Sequence, residues 1–178
     1  SLVIFPFMYY ETYGDDSLIK KYYQHMRRYT DYLKTRADNG ILSFGLGDWY
    51  DYGDFRAGFS RNTPVPLVAT AHYYMTVMYL IKAARMVGNE FDVRYYSSLA
   101  YDIMVAFNKR FLDSNTAQYG TGSQASNALP IFLQMIQSTG DKGDYTPDAS
   151  LTAKVLTNLI KDVESHGNRL TTGDVGNR

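Results

Sequence analysis

The chain has 178 residues, 45% hydrophobic, 20% charged and 15% aromatic, with 18 basic and 18 acidic side chains and no cysteine. That length can enclose one domain with a sizeable core. The zero net charge, with no basic run, excludes the electrostatic footprint of a nucleic-acid partner or an anionic membrane, and the missing thiols exclude disulfides and cysteine chemistry. No stretch approaches the roughly 20 consecutive apolar residues of a membrane helix, so no membrane insertion is expected. The chain opens on Ser1 rather than methionine, without a signal-peptide pattern, and reads as an excised segment. Its localisation stays open among secreted, periplasmic and cytoplasmic.

Apolar residues recur at spacings of three and four along most of the chain, which predicts an all-α fold. Residues 2–10 read as the tail of a helix with Pro6 near its start, and 11–16 as the turn leaving it. Asp16 or Ser17 caps a second helix that runs to about Arg36, with Leu18, Tyr22, Met26, Tyr29 and Leu33 on its apolar face. A long loop over 37–66 closes at Thr63-Pro64-Val65-Pro66, where prolines suit a helix start and Thr63 serves as N-cap. Residues 67–87 are apolar almost all round and predict an inner helix ended by Gly88. Further helices are expected over 91–112, 124–138 (short and inner) and 148–164 (amphipathic).

The connections alternate in character. Loops leading into the inner helices are rich in motifs: 37–66, then 113–123 with Tyr119-Gly120-Thr121-Gly122-Ser123, then 165–174 with Leu170-Thr171-Thr172-Gly173-Asp174. The returns at 11–16 and 88–90 are brief, and only that at 140–147 is longer. Antiparallel helical hairpins would therefore gather every ornate loop at one end. No sequence self-similarity accompanies the rhythm, so repeat families are not supported.

Within the first loop, Gly45-Leu46-Gly47-Asp48-Trp49-Tyr50-Asp51-Tyr52-Gly53 holds the only tryptophan of the chain beside two carboxylates. A sugar offers a C–H face that packs on an indole and a rim of hydroxyls that donate to a carboxylate, so Asp48 and Trp49 suit carbohydrate. The competing reading is a core tryptophan beside a capping aspartate. Glycines at 45, 47 and 53 permit the backbone angles of a close-fitting loop. Asp51 and Asp54 could add hydrogen bonds or simply face solvent. The 17 tyrosines fit pockets for polar ligands and half-buried helix contacts equally.

In order along the chain, Pro6-Phe7-Met8-Tyr9-Tyr10-Glu11-Thr12-Tyr13-Gly14-Asp15, Gly47-Asp48-Trp49, Thr70-Ala71-His72-Tyr73-Tyr74, Ala106-Phe107-Asn108, Tyr119 through Leu129 and Leu170 through Gly176 resemble the bacterial α-L-rhamnosidases. The resemblance covers nearly the whole chain. It implies roughly half of an (α/α)6 toroid, residues 1–178 forming one segment of the catalytic domain truncated at both ends. It also implies inverting hydrolysis of terminal α-L-rhamnosyl linkages in glycans or glycosides, by an acid and a base carboxyl roughly 6.5–9.5 Å apart.

In that family the acid is a glutamate upstream of the stretch matching Pro6, and the base lies downstream of the stretch matching Leu170 to Gly176. Neither region is present, and Glu11, Glu90 and Glu164 read as turn or solvated helix-end residues on the plain-turn side or far from the motif loops. No catalytic residue is therefore assigned within the chain. The resemblance leaves sugar recognition to it: Trp49 against the C5-methyl and C–H face of rhamnose, Asp48 accepting from ring hydroxyls or orienting the loop, with Asp51, Gln124, Asn127 and Thr172 as further substrate-binding candidates. Gln124 and Asn127 could equally hold their loop, and Thr172, Gly173 and Asp174 could line the pocket or cap a helix. His72 reads as a core histidine. No cofactor is expected, and no metal site, since His25, His72 and His166 share no ligand spacing and no D-x-D-x-D-G register occurs. The partners expected are a rhamnose-containing glycan and the remainder of the catalytic domain, against which inner-helix residues such as Leu67, Val77, Leu129 and Phe132 would otherwise lie exposed, so the isolated piece is expected to self-associate. A helical scaffold without enzymatic activity, or another glycosidase or lyase on the same toroid, is the alternative.

Overall fold

The computed structural model describes residues 2–53, 56, 58–137 and 146–174. Six helices follow in chain order: α1 (Ile4–Tyr13), α2 (Ser17–Arg36), α3 (Val65–Met86), α4 (Glu90–Phe111), α5 (Gln124–Phe132) and α6 (Ala149–Ser165). A hairpin of two short antiparallel strands, β1 (Leu112–Asp113) and β2 (Gln118–Tyr119), lies between α4 and α5. The helices form three antiparallel pairs, half of a six-hairpin toroid.

Local chemistry fixes where the helices start and stop. Gly14 closes α1 in a left-handed conformation, φ 70°, returning its N–H to Tyr10 O. Asn89 starts α4 by accepting from Asp92 N at 3.1 Å while its Nδ2 donates to Asp92 Oδ2 at 2.9 Å, so two groups at the helix start are satisfied reciprocally. Asp148 caps α6 by accepting from Leu151 N at 2.8 Å.

α3 is the hub, packed against α2, α4 and α5. Its apolar composition on every side is explained by that position: Leu67, Ala71, Val77, Leu80, Ala83 and Ala84 are all fully buried. Leu67 and Val77, expected to be bared at the edge of a half toroid, are thus covered by the chain's own hairpins. Phe132 at the end of α5 is 75% exposed, and Phe5 and Met8 on α1 are exposed as well. Leu129 is half-buried.

Several boundaries and faces differ from expectation. α1 continues to Tyr13, so 11–13 are helix rather than turn. The buried stripe of α2 is Ile19, Tyr23, Met26, Thr30 and Leu33, turned by one position from the expected Leu18 and Tyr22. A carboxylate decides it: Asp92 on α4 is 1% exposed and accepts from Tyr23 Oη at 2.6 Å, which draws Tyr23 inward, with Arg27 Nε 3.5 Å from the same oxygen. α5 ends at Phe132, short of the expected 138, where Gln134 turns left-handed at φ 54° and the ladder gives way to Gln134 N donating to Ile131 O and Met135 N to Pro130 O. The N-cap of α3 is Pro64, not Thr63, which is buried one residue earlier and turned to another use.

Because α2, α4 and α6 run toward one end and α3 and α5 back from it, the three long connections gather at that end. The short turns at 14–16 and 87–89 lie at the other. No helix among the described residues is long and apolar enough to cross a membrane.

Candidate functional site

The three connections at the loop-bearing end are bonded into a single rim. Gly173 N donates to Asp48 Oδ2 at 2.8 Å, Asp174 N to Trp49 O at 2.7 Å and Tyr52 N to Thr171 O at 3.1 Å, which joins the first loop to the third. Thr121 Oγ1 donates to Asn62 O at 2.6 Å, and Thr63 Oγ1 lies 2.8 Å from Ser123 Oγ, which joins the first to the second. Gln124 bridges the second and third: its Nε2 donates to Arg169 O at 3.1 Å and its Oε1 accepts from Thr171 N at 3.0 Å.

Each expected site residue has a definite place in this rim. Asp48 is fully buried, and its carboxylate fixes the third loop. Asp51, 2% exposed, accepts from the backbone N–H groups of Arg61, Asn62 and Thr63 at 2.9, 2.6 and 3.0 Å. Such a carboxylate acts as the hub of a turn, holding three converging donors that would otherwise stay unsatisfied. Asn127, fully buried, accepts from Tyr119 N at 2.9 Å and donates to Gly122 O at 3.2 Å, so its amide shapes the second loop. Thr172 is 9% exposed beside Gly173. Asp54 lies outside the described residues.

Trp49 is half-buried, whereas the other expected binding residues are buried. Tyr50 and Phe59 meet it edge-on, with centroids 5.7 and 5.3 Å away. Edge-to-face neighbours hold an indole in one orientation. Gly45 and Gly47 have positive φ, 140° and 67°, and at Gly47 a Cβ would come within 2.6 Å of Ser60 Cβ.

The glutamates stand apart from this arrangement. Glu11 and Glu90 are exposed near the plain-turn end. Glu164 is exposed on the last turn of α6, which places it at the loop-bearing end just before the third loop rather than far from it. His72 Nδ1 lies 2.9 Å from Val68 O within α3, a half-buried histidine tied to its own helix.

Sequence reasoning missed Ser123, Ser126 and Thr63 as a chain of hydroxyls, Ser123 Oγ lying 2.8 Å from each of the other two. A cluster of small hydroxyl residues at two loop ends was the available signal. It also missed Tyr119, whose fully buried phenol is pushed well above the ordinary tyrosine range, mainly by desolvation and further by the Asp148 charge.

Paired helices with every elaborate crossing on one rim define a helical-hairpin toroid protein whose motif-bearing loops meet at one end. The family model for the bacterial alpha-L-rhamnosidase 6 hairpin glycosidase domain matches residues 1–178, and the chain belongs to that family. It is 30% identical over 181 residues to an alpha-L-rhamnosidase of Formosa agariphila, covering 97% of this chain and 18% of that protein. Among solved structures, it superposes on the alpha-L-rhamnosidase from Dictyoglumus thermophilum with a TM-score of 0.83 and 30% identity, over 98% of this chain and 19% of that one. The Streptomyces avermitilis alpha-L-rhamnosidase complexed with L-rhamnose shares the fold, with a TM-score of 0.82 and 22% identity over 98% of this chain and 15% of that one. The chain thus spans about a fifth of the length of the first relatives it matches.

Proposed function

We propose that residues 1–178 are one segment of the (α/α)6 catalytic domain of an inverting α-L-rhamnosidase, which hydrolyses terminal α-L-rhamnosyl linkages of glycans or glycosides. The observation that carries this reading is the half-buried Trp49 held by a rim in which three loops lock one another. Rhamnose is a 6-deoxy sugar, so its methyl group and C–H face supply apolar surface that an aromatic wall binds favourably. Trp49 takes that face. Asp48, Asp51, Gln124 and Asn127 serve binding through the backbone they hold in place, with Thr172 lining the rim beside Gly173: the four polar side chains set the loop positions before substrate arrives, so little ordering remains to oppose binding.

Inversion needs one carboxylic acid to protonate the leaving oxygen and one carboxylate to deprotonate water on the opposite sugar face. Both belong to parts of the parent protein outside this chain, since Glu11, Glu90 and Glu164 lie on exposed helix turns. The alternatives of a scaffold without activity or a different toroid glycosidase predict no rhamnose release.

The test uses the full parent protein with p-nitrophenyl α-L-rhamnopyranoside. Rhamnose release with initial β-anomer formation is expected, as is a roughly tenfold rise in KM on Trp49→Ala, corresponding to about 1.4 kcal/mol. Absence of rhamnoside hydrolysis refutes the reading. Hydrolysis by the 178-residue chain alone refutes the placement of the carboxyl groups.

A further inference from the structure

We propose that the groove between α2 and α4 is a separate, noncatalytic carbohydrate site that binds an acidic saccharide by its carboxylate and its pyranose face. The inference goes beyond the rhamnosidase reading and does not depend on it. The groove encloses about 490 Å³ and is lined by Arg27, Asp31 and Lys34 of α2 and by Phe91, Tyr95 and Tyr96 of α4. That volume falls within the roughly 300–1,000 Å³ of small-molecule sites. Its lining comes from helices and not from the three long connections, which sets it apart from the rim that holds Trp49.

Bonds from helix to helix fix both walls. Tyr96, itself 1% exposed, donates its phenol to Asp31 Oδ1 at 2.7 Å, and Lys34 Nζ donates to Tyr95 Oη at 2.6 Å. Arg27 is anchored at Nε, 3.5 Å from the buried Asp92 carboxylate, while 39% of its side chain stays exposed. Arg27, Asp31 and Lys34 recur at spacings of four and three, so they share one face of α2 over about 10 Å. On α4, Phe91 and Tyr95 lie one turn apart, 66% and 39% exposed, with their ring planes 8° from parallel.

Chemistry and charge narrow the occupant. Exposed aromatic rings pack on the C–H face of a pyranose, and a carboxylate such as Asp31, with acceptor capacity beyond its bond to Tyr96, takes protons from sugar hydroxyls. Arg27 and Lys34 bring two positive charges to the groove against one negative charge on Asp31. The imbalance extends along the helix: α2 carries six lysines and arginines and the single acid Asp31, in a chain whose total charge is zero. That surplus favours a sugar bearing a carboxylate over a neutral one. An acidic peptide matches the cations alone, whereas a uronate also meets the parallel rings and the Asp31 acceptor. Because α2 and α4 both belong to this chain's own three pairs, the hairpins that complete the toroid add beside the groove rather than over it. In a rhamnosidase, a glycan held here by its acidic residues keeps its rhamnosyl ends at a raised effective concentration near the rim.

The experiment measures binding to the full parent protein by calorimetry with three probes: a galacturonate oligomer, the same oligomer as its methyl ester, and poly-L-glutamate. The free-acid oligomer is expected to bind roughly tenfold more tightly than either of the others. Phe91→Ala and Lys34→Gln are each expected to raise its Kd roughly tenfold, as loss of a stacked ring or of a charged hydrogen bond does, while Trp49→Ala leaves it unchanged. Phe91 and Lys34 are both exposed, and a melting temperature equal to that of the wild type reports that each variant is folded. No binding of the galacturonate oligomer, equal binding of the methyl ester or of polyglutamate, or a Kd insensitive to either groove substitution overturns the proposal. Loss of binding in Trp49→Ala would put the ligand at the rim and overturn it as well. None of these readouts uses rhamnose release, so the rhamnosidase reading and the groove site stand or fall separately.

Discussion

Gly173 and Asp48, 125 residues apart in sequence, meet through one hydrogen bond of 2.8 Å from the glycine N–H to the buried carboxylate. The approach is close enough that a Cβ on Gly173 would lie 2.6 Å from Asp48 O and from Asp51 N, and closer still to Trp49 O. All three are backbone atoms, which cannot swing aside as a flexible side chain would. Gly173→Ala is therefore expected to push the third loop off the first, at about 1–3 kcal/mol of stability. Thermal unfolding should register the loss, and the KM for aryl rhamnosides should rise with it, because the third loop braces the segment that carries Trp49. An unshifted melting temperature would contradict the contact.

Asp51 supports the same rim from beneath. Its Oδ2 alone gathers the three backbone N–H groups of Arg61, Asn62 and Thr63, while Oδ1 takes a second approach from Arg61 N at 3.1 Å. Asp51→Asn removes the charge that strengthens these bonds and sets an NH2 donor against Arg61 N where Oδ1 now accepts, a cost of about 1–3 kcal/mol. The expected readout is faster proteolysis within 52–63 together with a lowered melting temperature. Asp51→Glu should not restore it, since the longer side chain displaces the oxygens from a turn already closed around them.

Much of this architecture is legible in the residues, and what is not has identifiable causes. The spacing of apolar residues and the markers Asp16, Gly88 and Pro64 to Pro66 place α2, α3 and α4 within a residue or two. The face of α2 is not legible, because Leu18 with Tyr22 and Ile19 with Tyr23 offer equally apolar stripes, both passing through Met26 and Leu33. Asp92, on a different helix, chooses between them. The hairpin of β1 and β2 escapes because two-residue strands carry no alternation, although Asp113 accepting from Asn115 N at 2.9 Å is a turn the sequence Asp-Ser-Asn could suggest. At the site, the Gly-Asp-Trp loop stands out as residue types. The anchoring roles of Asp48 and Asp51 do not, since their partners are backbone N–H groups 10 to 125 positions away.

Four buried phenols give the fold a defined alkaline limit. Tyr23, Tyr73, Tyr96 and Tyr119 all have pKa values raised above the ordinary tyrosine value, chiefly by desolvation, with the neighbouring carboxylates Asp92 and Asp31 adding to the shift at Tyr23 and Tyr96. An unfolded tyrosine ionises near pH 10, so below that pH both states hold the proton and the stabilisation is fully present. Above it the unfolded chain loses protons that the native state retains, and stability falls by up to about 1.4 kcal/mol per pH unit for each such phenol. Denaturant midpoints should be flat from pH 8 to 9.5 and drop steeply beyond 10. Phenolate absorbance should then show a late-titrating group of tyrosines that ionise only on unfolding.

Two of these tyrosines should respond in opposite ways to loss of the hydroxyl. Tyr23 Oη donates to Asp92 Oδ2 at 2.6 Å, and Asp92 is 1% exposed, so Tyr23→Phe strips a donor from a buried carboxylate that solvent cannot reach. Asn89 Nδ2 and Arg27 remain beside that oxygen, which limits the expected cost to about 1–3 kcal/mol. Tyr73 is equally buried, 1% exposed, yet its Oη has no hydrogen-bond partner among the described residues. Desolvating that hydroxyl has already cost free energy that no bond returns, so Tyr73→Phe should leave stability unchanged or raise it by about 1 kcal/mol. Paired denaturation curves at pH 7 decide the matter: destabilisation by Tyr73→Phe equal to that by Tyr23→Phe would mean that Tyr73 Oη has a partner in the parent protein.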